Sequence, residues 1–326
     1  MKAARIISPK QFEFVDVDMP VLGNQECLIQ LKRWSICGTD MRADYSPTFD
    51  EKEYPLGICD PCHEMAGVVV ESNVDTLKTD DLVIVFPRKG GHGGFVEYIT
   101  AYPSHVAKIP SGGDLAEWLM CQPAATVLEG CKKINSFLGK KVVILGQGPI
   151  GLCFTAMISK LGALKVVAVD SIDYRLKYAK QFGATNCINY KEQELKEIVR
   201  DITDGNMADI VIDAAGSIDS FQNSTELICR TGTLVLFGIQ EWNQNKYLLD
   251  TDGLNDFIRN EINIISVGPA GRKDPMLHVR EMISLKNRGW WDPSILVTHN
   301  MLLTEINEAF SLYENQKDNV LKIVMK

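Results

Sequence analysis

Two sets of residues in this chain have types and spacings that could do chemistry. The first is Gly146-Gln147-Gly148-Pro149-Ile150-Gly151, which fits G-x-G-x-x-G. It follows the apolar run Lys141–Leu145 and opens a stretch of helical character, the context this motif needs. There the first glycine permits a tight turn, the second lets backbone approach a pyrophosphate, and the third lets helix pack close to strand. The helix N-terminus favours the anionic phosphates. Asp170 ends the next apolar run, 19 residues past Gly151. A carboxylate there accepts hydrogen bonds from ribose hydroxyls and repels a 2′-phosphate, so the segment points to NAD rather than NADP. Arg175 either stacks near the adenine or solvates a helix face.

The second set is Cys37 in SICGTD, His63 and Glu64 in PCHEMAG, and Gln122 in MCQPAAT. Thiolate, imidazole and carboxyl-type oxygen suit Zn²⁺ in a catalytic site that keeps one position open. They lie far apart in sequence, so spacing alone does not make them a site, and a lone Cys or His is usually structural. Cys59 and Cys62 form a C-x-x-C beside His63, but one such pair without a second is a poor metal signature.

These residues need two kinds of support. Residues 1–110 read as short β segments, ECLIQLKRWSI, EMAGVVVES, DLVIVFP and FVEYITA among them. Near residue 115 the pattern changes to a helix, DLAEWLMCQPAATVLEGCKKIN, interrupted by Pro123. Strands then alternate with helices: KKVVILG, KVVAVD, NCINY, ADIVIDAAG and TLVLFGI between helical segments that include SFQNSTELICRTG. Alternation of this length implies right-handed crossovers and a parallel sheet, and the unbroken apolar runs imply strands covered on both faces. After NIISVG the alternation stops, and two helices and a final strand, VLKIVMK, are expected to pack back on the β-rich part.

Composition narrows the options. The 326 residues suggest two domains at roughly 150 each. With 45% hydrophobic and 23% charged residues the chain has ample core material. A net charge of −8 and scattered basic residues argue against a nucleic-acid partner. No apolar run reaches the length of a membrane span, and the first twenty residues lack the apolar stretch of a signal peptide. Nine cysteines without a secretion signal read as mostly reduced thiols in a cytoplasmic protein.

The motifs C-G-T-D, C-H-E-x-x-G-x-V, Q-P-x-x-x-x, G-Q-G-P-I-G and V-V-A-V-D, in that order, with ILVTH, INEAF and LKIVMK near the end, resemble the zinc-dependent medium-chain dehydrogenase/reductase family of the alcohol dehydrogenase superfamily. The likeness is greatest to its polyol and sugar dehydrogenase branch. The resemblance implies an α/β protein: a GroES-like β-rich catalytic domain over 1–123 and a Rossmann domain with a doubly wound parallel sheet over 124–266. Segment 267–326 would return to the catalytic domain, and the active site would lie in the cleft. Cys37 and His63 match the family's zinc ligands. Glu64 matches a glutamate that binds or supports the metal, and Gln122 stands at the third-ligand position, where most polyol-type relatives have E-P. Thr39 matches the hydroxyl that takes the alcohol proton. The cofactor set becomes Gly146, Gly148, Pro149, Ile150, Gly151, Asp170 and Arg175, with Thr126 after the Q-P motif.

Three departures stand out. Arg42 replaces the histidine that many alcohol dehydrogenases use as proton shuttle, and arginine cannot shuttle at neutral pH; it either meets cofactor phosphate or substrate, or is solvated. FPRKGGHGGFVEY has no cysteines for the family's structural zinc, so one catalytic zinc is expected; His92 there either meets substrate or sits in a surface loop. Cys62 stands where the family usually has glycine. The implied activity is hydride transfer between a secondary alcohol (polyol, sugar or cyclitol) and NAD, by a homodimer or homotetramer with no membrane partner. The alternatives are a zinc-free quinone or enone reductase, which lacks the Cys/His pair, and a non-catalytic NAD-binding protein.

Overall fold

The structure, a computed structural model, describes residues 1–47, 49–58, 60–87, 93–238, 251–268 and 274–326, with backbone alone for 251–254. It divides into two compact units, one of Met1–Ala125 with Ala270–Lys326, the other of Thr126–Pro269.

The first unit is β-rich. Its N-terminal strands are β1 (Lys2–Ser8), β2 (Gln11–Asp16), β3 (Cys27–Ser35), β4 (Glu64–Ser72), β5 (Leu82–Val85), β6 (Phe95–Val96), β7 (Tyr98–Ala101) and β8 (Val106–Lys108). The second unit carries β9 (Lys141–Leu145), β10 (Lys165–Asp170), β11 (Asn186–Asn189), β12 (Ala208–Asp213), β13 (Ile228–Leu236) and β14 (Asn263–Ser266). The chain then returns to the first unit as β15 (Val297–Met301) and β16 (Lys322–Met325). There β2, β1 and β6 form one sheet, and a larger sheet runs β15-β16-β3-β4-β5-β8 with β7 also on β3.

The register of β3 sets which residues face one another near its end. Ser35 pairs with Glu64 on one side and Val324 on the other. Paired residues project to one face, and so does Lys322, two residues from Val324. The sheet thus brings the end of the chain beside Glu64. The return is secured by Phe310 of helix Ile306–Glu314, whose ring lies 4.7 Å from Phe12 and 4.8 Å from Tyr45 in a buried cluster.

The second unit is a six-stranded parallel sheet of order β11-β10-β9-β12-β13-β14. The order reverses between β9 and β12, and ligands of such sheets bind outside the strands' carboxyl ends at that reversal. The apolar runs of β9, β10 and β12 are buried throughout, as strands covered on both faces must be.

Two segments differ from the sequence reading. The helix expected over 114–135 is two helices, Leu115–Leu119 and Cys121–Lys133. Pro123 does not interrupt the second; it sits in its first turn, where an amide hydrogen would have no partner within the helix. The helix expected to run through ICRTG ends at Leu227, because Ile228 pairs with Ala208 and the sheet takes the segment as strand.

Candidate active site

The turn from β3 into the short helix Gly38–Asp40 places Cys37, and the start of β4 places His63 and Glu64. Their donor atoms lie within 4.8 Å of one another, the one group among the described residues able to hold a metal ion by Cys, His or carboxylate. Phe86 stands edge-on to the His63 ring at 6.3 Å. Thr39 Oγ1 lies 3.8 Å from Cys37 Sγ, which puts its hydroxyl beside the group.

Asp40, quoted in the C-G-T-D motif but given no role from sequence, organises the group. It is 2% exposed. Its Oδ2 accepts the Cys37 N–H at 2.9 Å, and its Oδ1 accepts the Cys62 N–H at 3.2 Å and meets His63 Nδ1 at 3.0 Å. With Nδ1 committed to Asp40, Nε2 is the ring atom left for a metal, the usual carboxylate–histidine arrangement behind a ligand. Burial alone would push the His63 pKa down, but the charges of Asp40 and Cys37 outweigh it and hold the imidazole well above its ordinary value. Cys62 adopts φ +99°, a region glycine enters far more readily, which accounts for the family's preference there.

Glu64 does not stand alone. Lys322 Nζ donates to its two oxygens at 2.7 and 2.6 Å and to the Ile36 carbonyl at 2.9 Å. The carboxylate and ammonium are 1% and 2% exposed. Burial would push the Lys322 pKa down, but the charge of Glu64 and next that of a Cys37 thiolate outweigh it, so the ammonium is held above its ordinary value.

Gln122 is the second residue of helix Cys121–Lys133 and is 4% exposed. Its Oε1 is buried without a hydrogen-bond partner among the described residues. A buried amide oxygen with no donor is costly, and a metal ion would satisfy it. This orphaned oxygen, the donor chemistry of Cys37, His63 and Glu64, and the carboxylate behind His63 together fit zinc. Arg42 is half-buried. Cys59 and His92 lie outside the described residues. Cys27, Cys131 and Cys153 are buried, whereas Cys187 and Cys229 are half-buried.

The second unit forms the nucleotide cradle. Gly146 turns at φ +86°, with Ala215 so close that an added Cβ would lie 2.9 Å from its side chain. An added Cβ on Gly151 would lie 1.8 Å from the Gly146 carbonyl oxygen, so the helix can approach the strand only at glycine. Gly148, in contrast, faces open space, with nothing within 4 Å. Gly148 is the N-cap of helix Pro149–Lys160, and Pro149 and Ile150 form its first turn. Asp170 is buried; its Oδ2 accepts the Gln147 N–H at 2.6 Å and its Oδ1 accepts the Ile172 N–H at 2.9 Å. Each oxygen keeps a further lone pair for a ribose hydroxyl. Arg175 Nη1 is 3.7 Å from Asp170, with a side chain only 17% exposed, so it is not a solvated helix-face residue. Thr126 is half-buried in helix Cys121–Lys133, at the start of the second unit. The open space at Gly148, the forced glycines beside it and the Asp170 carboxylate fit a dinucleotide.

Known proteins agree with this geometry. Residues 23–111 match the alcohol dehydrogenase GroES-like domain and residues 149–278 match the zinc-binding dehydrogenase family. An alcohol dehydrogenase of Cupriavidus necator is 28% identical, over 100% of this chain and 98% of its own. A sorbitol dehydrogenase of Bacillus subtilis is 26% identical, over 100% and 97%. A solved oxidoreductase/dehydrogenase of unknown specificity from Escherichia coli superposes with a TM-score of 0.86 at 25% identity, over 100% and 99%. This chain belongs to the zinc-dependent medium-chain dehydrogenase/reductase family.

Proposed function

We propose that this protein oxidises a secondary alcohol of the polyol, sugar or cyclitol class, reversibly, with NAD⁺ as hydride acceptor and one zinc per chain. The observation that carries the reading is the convergence of Cys37, His63 and Glu64 within 4.8 Å, with the unpartnered oxygen of Gln122 in the same unit. The sorbitol dehydrogenase relative supports the polyol class. The carboxylate of Asp170, beside the ribose position the motif defines, supports NAD over NADP.

Cys37, His63 and Gln122 would hold the zinc, and Gly146, Gly148, Gly151 and Asp170 the dinucleotide. Bound there, zinc supplies Lewis acidity toward the substrate oxygen and the nicotinamide accepts the hydride. Thr39, its Oγ1 standing beside Cys37, would relay the hydroxyl proton, accepting it while passing its own to solvent. Asp40 engages Nδ1 of His63 and so leaves Nε2 as the ring atom that would hold the ion. Phe86 walls one side of that ring. Arg42 keeps its own proton, so the relay beyond Thr39 does not pass through residue 42. Pro149, Ile150, Thr126 and Arg175 would supply the remaining cofactor contacts.

No disulfide joins any two of the eight described cysteines, which supports a reducing, cytoplasmic setting. A homodimer or homotetramer is proposed, formed through β14, the outermost strand of its sheet among the described residues, where Ile264 is exposed. The test is NADH formation with a panel of polyols and simple secondary alcohols, before and after chelation. Turnover on a polyol that chelation abolishes and zinc restores is expected; turnover indifferent to chelation would overturn the zinc role.

A further inference from the structure

Carboxylate is a better zinc ligand than amide, yet the Glu64 carboxylate faces a lysine. An oxygen of Glu64 lies within 4.8 Å of the Cys37 and His63 donor atoms, near enough to share an ion with them after a side-chain rotation. Both its oxygens are instead engaged by Lys322 Nζ, whose third hydrogen goes to the Ile36 carbonyl. All three ammonium hydrogens are thereby used. The pair is fixed by sheet register, since β4 and β16 lie on either side of β3 at Ser35. It does not depend on a loop.

The charge balance differs between the two places Glu64 could be. On the ion, Glu64 and the Cys37 thiolate together would cancel a 2+ charge. Held by Lys322, with the neutral Gln122 amide as oxygen donor, it leaves the ion with the thiolate alone and a net positive charge. A more positive ion draws harder on a substrate oxygen. A ligand position also stays open for that oxygen, as catalytic zinc sites require.

We infer that Lys322 is a positioning residue that holds Glu64 off the metal, keeping the ion positively charged and one ligand position open for substrate. This rests on the reading of Cys37, His63 and Gln122 as zinc ligands.

The test replaces zinc by cobalt, whose ligand-field bands report both the number and the kind of its ligands. Wild-type protein is expected to show the strong bands of a four-coordinate ion with a thiolate charge-transfer band that Cys37→Ser abolishes. Lys322→Met frees Glu64 to fill that open position: its bands should keep four-coordinate strength but shift in wavelength as a carboxylate joins the ion, its metal affinity should rise about tenfold or more, and kcat should fall with little change in the KM for NAD. Lys322→Arg should restore the wild-type spectrum. Glu64→Gln, which keeps the lysine and removes the competing carboxylate, should leave the wild-type bands unchanged. A folded Lys322→Met protein with wild-type spectrum and affinity would overturn the inference. So would a Glu64→Gln protein with altered bands, because Glu64 would then already be on the metal; this second variant decides the matter if Lys322→Met does not fold. Wild-type protein that binds no cobalt through Cys37 would take down the zinc reading itself, and the inference with it.

Discussion

Replacing Asp40 by Asn tests the organisation of the metal group with the least change in shape. Asp40 Oδ1 serves Cys62 N–H and His63, at 3.2 and 3.0 Å, while Oδ2 serves Cys37 N–H at 2.9 Å. An asparagine can keep the first pair with its carbonyl oxygen, but its amide nitrogen then meets the Cys37 N–H donor to donor. One charge-assisted hydrogen bond is lost at a residue 2% exposed, a cost of about 1.5–3 kcal/mol. The backbone carrying the thiolate loosens, and the ring of His63 loses a charged partner. Carboxylates behind metal-bound histidines are typically worth 10–100-fold in affinity, about 1.4–2.7 kcal/mol, and Asp40→Asn is expected to weaken zinc by that amount. The assay is competition between the protein and a chromophoric chelator. Asp40 also raises the proton affinity of His63, so the comparison belongs at high pH, where protons compete least with metal. A zinc affinity within about twofold of wild type would refute the reasoning and reduce Asp40 to a helix cap.

The cradle glycines separate binding from folding. Gly148→Ala should leave the stability of the cofactor-free protein within about 0.5 kcal/mol, because nothing lies near the new Cβ, yet weaken NAD about tenfold or more in a calorimetric titration. Gly151→Ala should instead destabilise the fold by about 3 kcal/mol or more in denaturant unfolding, since its Cβ meets the Gly146 carbonyl. Burial, then the charges of Asp40 and Asp60, raise the Asp44 pKa from 3.8 to about 7 against a smaller pull from His63. The folded chain therefore binds the extra proton between those values, and metal-free protein should lose stability as pH rises from about 4 to about 7. Asp44→Asn should remove that slope and be more stable than wild type at pH 8 by about 1–2 kcal/mol after discounting for solvent screening; parallel pH curves would contradict this. At Cys62, with φ +99°, the usual order should invert, Cys62→Gly unfolding about 1 kcal/mol later than Cys62→Ala.

The nucleotide half was legible because its demands are local. Turn, close approach, N-cap and first-turn proline all fall within six consecutive residues after a buried strand. The metal half was not, since Cys37 and His63 meet only through the pairing of β3 with β4; family resemblance, not spacing, links them in the sequence. Asp40 was in view, but a carboxylate three residues past a cysteine reads equally as a cap, and only its burial separates the roles. Lys322 did leave a signal, a charge inside the apolar run of VLKIVMK whose neighbours Leu321, Ile323, Val324 and Met325 are all buried, which demands a counter-charge. Its partner lies 258 residues away, and no local pattern names it. The β-rich unit was read only in part: β1, β2, β8 and β15 are short or half-exposed and carry weak alternation.

One titration tests the role of the metal most directly. Protein stripped of metal is given zinc in small equivalents while NAD⁺-dependent oxidation of its best alcohol is followed. The rate should start at zero and climb linearly to a break at one zinc per chain, with Cys37→Ser flat throughout. Full turnover by the stripped protein, or a wild-type rate that ignores added zinc, would contradict it.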